Sequence, residues 1–246
     1  MGVLDGIGAY FILLYRSVAK PEKYSMYWRE ILRQMNDIGV GSFGIIAIVA
    51  VFIGAVTAVQ FSIKLLAIGT IPMWWMGGIV RDSTVLELAP TISALLLAGK
   101  VGSNIASELG TMRISEQIDA MEIMGVNTRS YLIMPKIIGS MVIVPPLVIT
   151  AMFLGIIGGL YAGTWGGFFT QEEYIRGLQD QFNPYYLTVL MIKSVVFGFL
   201  IASISCYKGY NVKGGALELG TASTDAVVMS SIAIIISNFI IAFVLL

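Results

Sequence analysis

The chain of 246 residues contains no histidine and a single cysteine, Cys206. Without histidine, Ser-His-Asp and Cys-His catalysis and every histidine-containing metal site are excluded. One cysteine forms neither an internal disulfide nor a thiolate cluster. Charge is scarce as well: Asp, Glu, Lys and Arg make up 12% of the chain, about half the share found in soluble domains. The 15 cations balance the 15 anions, so no net field points to nucleic acid or to an acidic ligand. No G-x-x-x-x-G-K-[ST] run occurs. The chain therefore does not hydrolyse ATP through a P-loop of its own, and any energy source has to come from a partner.

What is present is mostly apolar. Hydrophobic residues make up 57% and the mean hydropathy is +0.85. The 13 methionines and 27 glycines suit adaptable apolar surfaces and close helix packing. Five runs, at 40–63, 84–106, 133–165, 185–207 and 226–246, have the length of roughly 20 residues that a helix needs to cross hydrocarbon. The expectation is an all-α membrane protein, a single domain of five spans. Ala94, Ala98, Gly102 and Ala106 form a small-residue stripe on the second span; Gly155, Gly159, Gly163 and Gly167 repeat the device on the third. Such stripes let a neighbouring backbone come close. Pro145-Pro146 is expected to kink or break the third span.

Residues 1–38 are too polar to cross. Tyr24, Tyr27, Trp28, Ile31, Leu32 and Met35 recur at helical spacing, with Arg29, Glu30, Arg33 and Gln34 on the other face. Pro21 separates them from the patch Tyr10–Tyr15. Such a helix suits the membrane interface, or alternatively a partner's surface. No cleavable signal is evident, so the mature chain is expected to start near Met1. The run 71–80, with Trp74 and Trp75, is too short to span and reads as interfacial or re-entrant; Asp82 or Ser83 is the expected cap of the next helix. Segments 166–184 and 208–225 read as loops, and Lys100 as snorkelling to the interface.

Ten Lys and Arg residues fall before the first span and between spans two and three and four and five: Arg16, Lys20, Lys23, Arg29, Arg33, Arg113, Arg129, Lys136, Lys208 and Lys213. Three, Lys64, Arg81 and Arg176, fall on the other side. This bias predicts a cytoplasmic N-terminus and, after five spans, a C-terminus outside.

Two features carry candidate chemistry. Glu87 and Lys193 are ionisable groups inside spans, at comparable depth from the outer end. Such groups cost roughly 2.5–3.5 kcal/mol at a helix centre. Either they pair and hold two helices together, or they line a polar cavity that takes a charged head group; the two readings are compatible. Pro90, in ELAP, reads as a tolerated proline in the first turns of its span. The second feature is residues 115–125. Ser115 is positioned to cap a helix with Glu116 and Asp119 early and Gly125 at its end. Ile118, Met121, Ile123 and Met124 give it an apolar side, and Glu116, Asp119 and Glu122 an acidic one. It is either a solvated loop helix or a helix built to sit in a partner's groove.

The stretches ELAP, ALLLAGKVGSNIASELGTMR, SEQIDAMEIMGV and YLIMP, with IGVGS and FIGAVTAVQ around the first span and IKSVVFG in the fourth, resemble the MlaE-type permeases. These are membrane subunits of ABC transporters that move lipids between bacterial membranes. The resemblance runs from about residue 8 onward. It implies a homodimeric, multi-pass permease of the bacterial inner membrane that carries phospholipid or a related lipid and is not itself an enzyme. It implies that residues 115–125 form the coupling helix held by a cytoplasmic ABC ATPase, and that a periplasmic MCE-domain protein meets the outer face. Glu87 and Lys193 would then lie near the lipid pocket. The rival readings are a secondary transporter or channel using Glu87 and Lys193 as an ion relay, and a scaffold that anchors peripheral proteins. Five spans do not divide into two equal halves, which counts against the first rival.

Overall fold

The computed structural model describes residues 3–18, 24–69 and 72–246, and all regular structure among them is helical. The helices are α1 (Val3–Val18), α2 (Tyr24–Ile68), α3 (Trp75–Ile114), α4 (Gln117–Ile123), α5 (Thr128–Trp165), α6 (Gln171–Gln179), α7 (Tyr185–Tyr210) and α8 (Ala216–Leu245). Five of these, α2, α3, α5, α7 and α8, are long and apolar enough to cross a membrane. The protein is an all-α membrane protein.

The helices run past the apolar stretches that announce them. A hydrogen-bonded ladder does not stop where hydrocarbon stops, so polar turns extend it at either end. The interfacial stretch and the first span are one helix, α2. Residues 75–83 open α3 and form no separate element; Ser83 has helical dihedrals and caps nothing, and Asp82 accepts from Arg81 Nε at 2.8 Å. Residues 216–225, expected as loop, begin α8. Segment 166–184 holds a helix of its own, α6, opened by a capping box: Thr170 accepts from the Glu173 amide while Glu173 accepts from the Thr170 amide. Pro145-Pro146 does not break α5. Each proline removes one amide, from the carbonyls of Met141 and Val142, and the ladder continues on either side. Lys20, Pro21, Lys23 and residues 70–71 lie outside the described residues.

The fold divides into two compact units, each assembled from separate stretches of sequence. The first comprises the described residues up to Gly41 with Ala94–Val144 and Val195–Ile240; the second comprises Ser42–Ser93, Pro145–Ser194 and Ile241–Leu246.

In the first unit helices meet through small residues. A side chain on Gly209 of α7 would come within 2.6 Å of the Ala106 carbonyl of α3, and one on Gly198 within 2.8 Å of the Ser140 carbonyl of α5. Ala94, Ala98, Gly102 and Ala106 are all buried. Hydroxyls add direction: Tyr10 to Ser203 at 2.8 Å, Tyr27 to Ser130 at 2.7 Å and Ser107 to Ser223 at 2.8 Å. The buried stripe at the start of α2 is Tyr27, Ile31, Gln34 and Ile38, whereas Trp28 and Leu32 are exposed. Gln34 is thus inside and not on the polar face; its amide donates to Glu30 at 3.0 Å, which offsets the cost of burial.

In the second unit α2 and α5 touch backbone to backbone, because a side chain at Gly54 would overlap Gly155 and one at Gly158 would overlap Val51. Gly159 faces Val80 and the Tyr174 hydroxyl, and Gly163 faces the Phe169 ring. Gly167 lies beyond the helix with φ +71, outside the stripe. Ala58, Leu65, Met76, Val80, Phe169 and Tyr174 form the core. Tyr174 donates to the Ile156 carbonyl at 3.0 Å, and Arg81 ties down the end of α6 through the carbonyls of Leu178 (2.6 Å) and Asp180 (2.9 Å).

Candidate functional site

The first group of candidate residues lies in the second unit. Helix α3 is π-helical over Thr84–Ile92, and Pro90 sits inside that segment, well past the first turn. In a π-helix each amide meets the carbonyl five residues back, so Pro90 leaves the Val85 carbonyl without a helical donor. Lys193 Nζ of α7 donates to the neighbouring Leu86 carbonyl at 2.7 Å and lies 3.2 Å from Glu87 Oε2. The two partners differ in surroundings: the Lys193 side chain is 0% exposed, and that of Glu87 is 51% exposed. Glu87 also accepts from Thr91 Oγ1 at 3.1 Å. A fully enclosed ammonium is therefore held by one carbonyl and one carboxylate whose other side is open. The pairing of Glu87 with Lys193 was readable from depth alone. The Leu86 carbonyl was not named, because a backbone acceptor leaves no mark in the sequence.

Lys100 lies in a second π segment, Ala98–Gly102. Its ammonium does not simply reach outward, because it donates to the Gly41 carbonyl within the first unit.

The second group, also in the first unit, surrounds α4. Ser115 does not cap α4. It ends α3, its hydroxyl donating to the Thr111 carbonyl at 2.7 Å. The turn between the helices is made by Glu116 in the left-handed region, φ 58. At the far end Gly125 has φ +83, its amide meets the Glu122 carbonyl (3.0 Å), and the Val126 amide meets the Met121 carbonyl (3.1 Å). That is a Schellman motif, which a glycine adopts at low cost. The apolar residues of α4 divide. Ile118 is fully buried and anchors the helix inward, Met121 is half-buried, and Ile123 and Met124 are 87% and 72% exposed. Asp119 is held by Arg113 Nη1 at 2.6 Å.

Glu122 turns toward the ends of α5 and α7. Its Oε1 accepts from Tyr210 Oη and from Thr128 Oγ1, both at 2.9 Å, and the two hydroxyls are themselves 2.9 Å apart. These hydroxyls, Tyr210 first, hold the Glu122 carboxyl below the usual carboxylate range. An open depression of about 370 Å³ adjoins them, lined by Glu122, Gly125, Val126, Asn127, Thr128 and Arg129. Thr128 and Tyr210 were not among the residues expected at this site. Both are uncharged in sequence and far apart along the chain, so no local pattern marks them.

Five helices long and apolar enough to cross a membrane, a charged pair inside α3 and α7 and a short capped helix between α3 and α5 define a multi-pass membrane protein with transporter features. A family model described as permease MlaE matches residues 31–244, and the chain belongs to that family. It is 35% identical over 241 residues to a probable ABC transporter permease protein of Rickettsia bellii, covering 96% of this chain and 91% of the relative. It is 35% identical over 217 residues to a probable ABC transporter permease protein of Synechocystis, covering 88% and 82%. A chloroplastic Arabidopsis thaliana protein named trigalactosyldiacylglycerol 1 is 31% identical over 231 residues, 94% of this chain and 65% of the relative. The chain is a membrane permease of an ABC transporter.

Proposed function

We propose that this permease moves phospholipid or a related lipid between the bacterial inner membrane and its periplasmic side, driven by a separate cytoplasmic ATPase that binds the ATP and Mg. The observation that carries the reading is α4, a short helix fixed at both ends between two membrane-crossing helices. It presents Ile123 and Met124 to solvent next to acidic residues. Exposed apolar pairs on a loop helix are costly unless a partner covers them. Residues 115–125 are the ATPase contact in this reading, and Glu87 with Lys193 lines the lipid side. Two copies form the transporter, a periplasmic MCE-domain protein meets the outer face, the N-terminus is cytoplasmic and the C-terminus is periplasmic. That the plant relative carries a glycolipid in its name supports a lipid cargo.

The test is co-purification with the ATPase subunit followed by mass spectrometry of co-extracted lipid. Ile123→Glu with Met124→Glu is expected to release the ATPase, and Glu116→Lys to weaken it. Asp119→Lys has the same direction but also removes the Arg113 bridge. An ATPase still bound after the double change would sink the docking assignment. Transport without any ATPase would favour an ion relay through Glu87 and Lys193.

A further inference from the structure

The reading of α4 as the ATPase contact leaves open how a load on α4 reaches the membrane-crossing helices, and one side chain stands where the paths meet. Tyr210 is the last residue of α7, is buried, and lies in the first unit with α4 and the start of α5. Its hydroxyl touches Glu122 of α4 and Thr128 of α5, each at 2.9 Å. Thr128 is buried and reaches the same carboxylate oxygen at 2.9 Å. Three oxygens from three helices thus form a triangle. Two hydroxyl protons are available, and an ionised carboxylate takes both, giving two charge-assisted bonds in place of one neutral bond between hydroxyls. The Tyr210 ring adds a second hold. The guanidinium carbons of Arg113, near the end of α3, and Arg129, on α5, lie 6.0 and 5.9 Å from its centroid, at the reach of a cation–π contact.

We propose that Tyr210 is a positioning residue that locks α4 to the ends of α3, α5 and α7, so that movement imposed on α4 by the ATPase is delivered to α7. The proposal rests on α4 being the ATPase contact. Helix α7 also carries Lys193, so the lock connects the docking helix to a helix of the charged pair. Nothing in α4 alone would do this. The seven-residue helix is too short to hold its own shape without tertiary contacts, and its other inward fixings are Ile118 and the Arg113–Asp119 bridge. The bridge reaches α7 through the Tyr210 ring, over which Arg113 lies.

Tyr210→Phe removes the hydroxyl and keeps the ring with its two guanidinium contacts. The permease–ATPase complex is prepared with this variant, and backbone hydrogen exchange over residues 205–216 is compared without nucleotide and with ATP trapped by vanadate. In the wild-type complex the two states are expected to differ. In Tyr210→Phe, with the ATPase still bound, the difference is expected to shrink about tenfold, the population change that follows loss of one hydrogen bond to a charged group. Thr128→Ser, which keeps a hydroxyl in the triangle, is expected to retain the wild-type difference, and Thr128→Val to lose most of it. If Tyr210→Phe gives no folded permease, the Thr128 pair carries the comparison. A full nucleotide-dependent difference in Tyr210→Phe overturns the proposal, and so does a wild-type complex without any difference at α7. If instead the ATPase ignores Ile123→Glu with Met124→Glu, it is the docking reading that fails.

Discussion

The unequal exposure of Glu87 and Lys193 makes their single substitutions unequal. Glu87→Ala leaves an ammonium that is 0% exposed with the Leu86 carbonyl at 2.7 Å as its remaining acceptor among the contacts described above. Removing one member of an enclosed pair costs about 3–5 kcal/mol, because the other charge stays behind. Lys193→Met fills the same volume without charge. The carboxylate it leaves is 51% exposed and still accepts from Thr91. The lost pair is also long, 3.2 Å, against about 2.7–2.9 Å for a strong charge-assisted bond. The cost is then that of a poorly partnered Leu86 carbonyl and a weak ion pair, about 1–2 kcal/mol. Glu87→Ala with Lys193→Met is expected to cost close to Lys193→Met alone, so the double variant is more stable than Glu87→Ala. The difference of about 2 kcal/mol is roughly thirtyfold in the folding equilibrium. Reversible unfolding in mixed micelles titrated with dodecyl sulfate measures it. This inequality holds where the open side of Glu87 faces water or head groups, since a carboxylate left against hydrocarbon would itself be costly. If Lys193→Met is as damaging as Glu87→Ala, that side faces acyl chains and the polar cavity does not exist.

Gly209→Ala places a methyl 2.6 Å from the Ala106 carbonyl and is expected to destabilise by about 1–3 kcal/mol in the same titration; Gly44→Ala, with nothing within 4 Å, is expected to stabilise by roughly 0.5–1 kcal/mol. Thr170→Ala removes the hydroxyl half of the α6 capping box and keeps the backbone half, at about 1 kcal/mol, which tryptic cleavage after Arg176 reports as faster nicking. Because the folded-state pKa of Glu122 is depressed, its contribution is present above the ordinary carboxylate pKa and is lost as pH falls through the lowered value. Exchange protection at 124–129 is therefore expected to survive below about pH 4.3, where an ordinary glutamate is half protonated, and to fail at higher pH in Tyr210→Phe.

The long apolar stretches made the five membrane-crossing helices legible in sequence, because lipid leaves a backbone few alternatives to a helix. Their limits were less so. Apolar composition marks where hydrocarbon begins, whereas the ladder ends where amides find other partners, as at Ser115 and Gly125. Helix α6 was available in the Thr170-x-x-Glu173 spacing and was hidden by its polarity. Pro145-Pro146 misled because a proline pair removes two bonds from α5 without forbidding those beyond it. At the candidate sites, charge was legible: Glu87 and Lys193 stand out against apolar spans. The neutral partners were not. Leu86 enters through its backbone, and Thr128 and Tyr210 enter through a tertiary contact that spans 82 positions of sequence.

The distribution of polar contacts bears on what the first unit is built to do. Between apolar helices in a bilayer, burial supplies little drive, and association rests on close packing and hydrogen bonds. Two buried serines of the second unit contribute to the packing and bond back to their own helix, Ser62 to Ala58 and Ser194 to Met191. In the first unit, the carboxylates of α4 bind side chains of three other helices. Arg113 of α3 meets Asp119, and Thr128 of α5 and Tyr210 of α7 meet Glu122. Nearby, Glu108 of α3 meets Lys136 of α5 at 2.6 Å, and Lys208 of α7 meets Asp225 of α8 at 3.0 Å. Helices packed only through glycine and alanine can slide; helices joined by charge-assisted bonds move together. A short helix tied to three longer ones, two of which are themselves joined by Glu108 and Lys136, is the arrangement that carries a push on α4 into several helices at once.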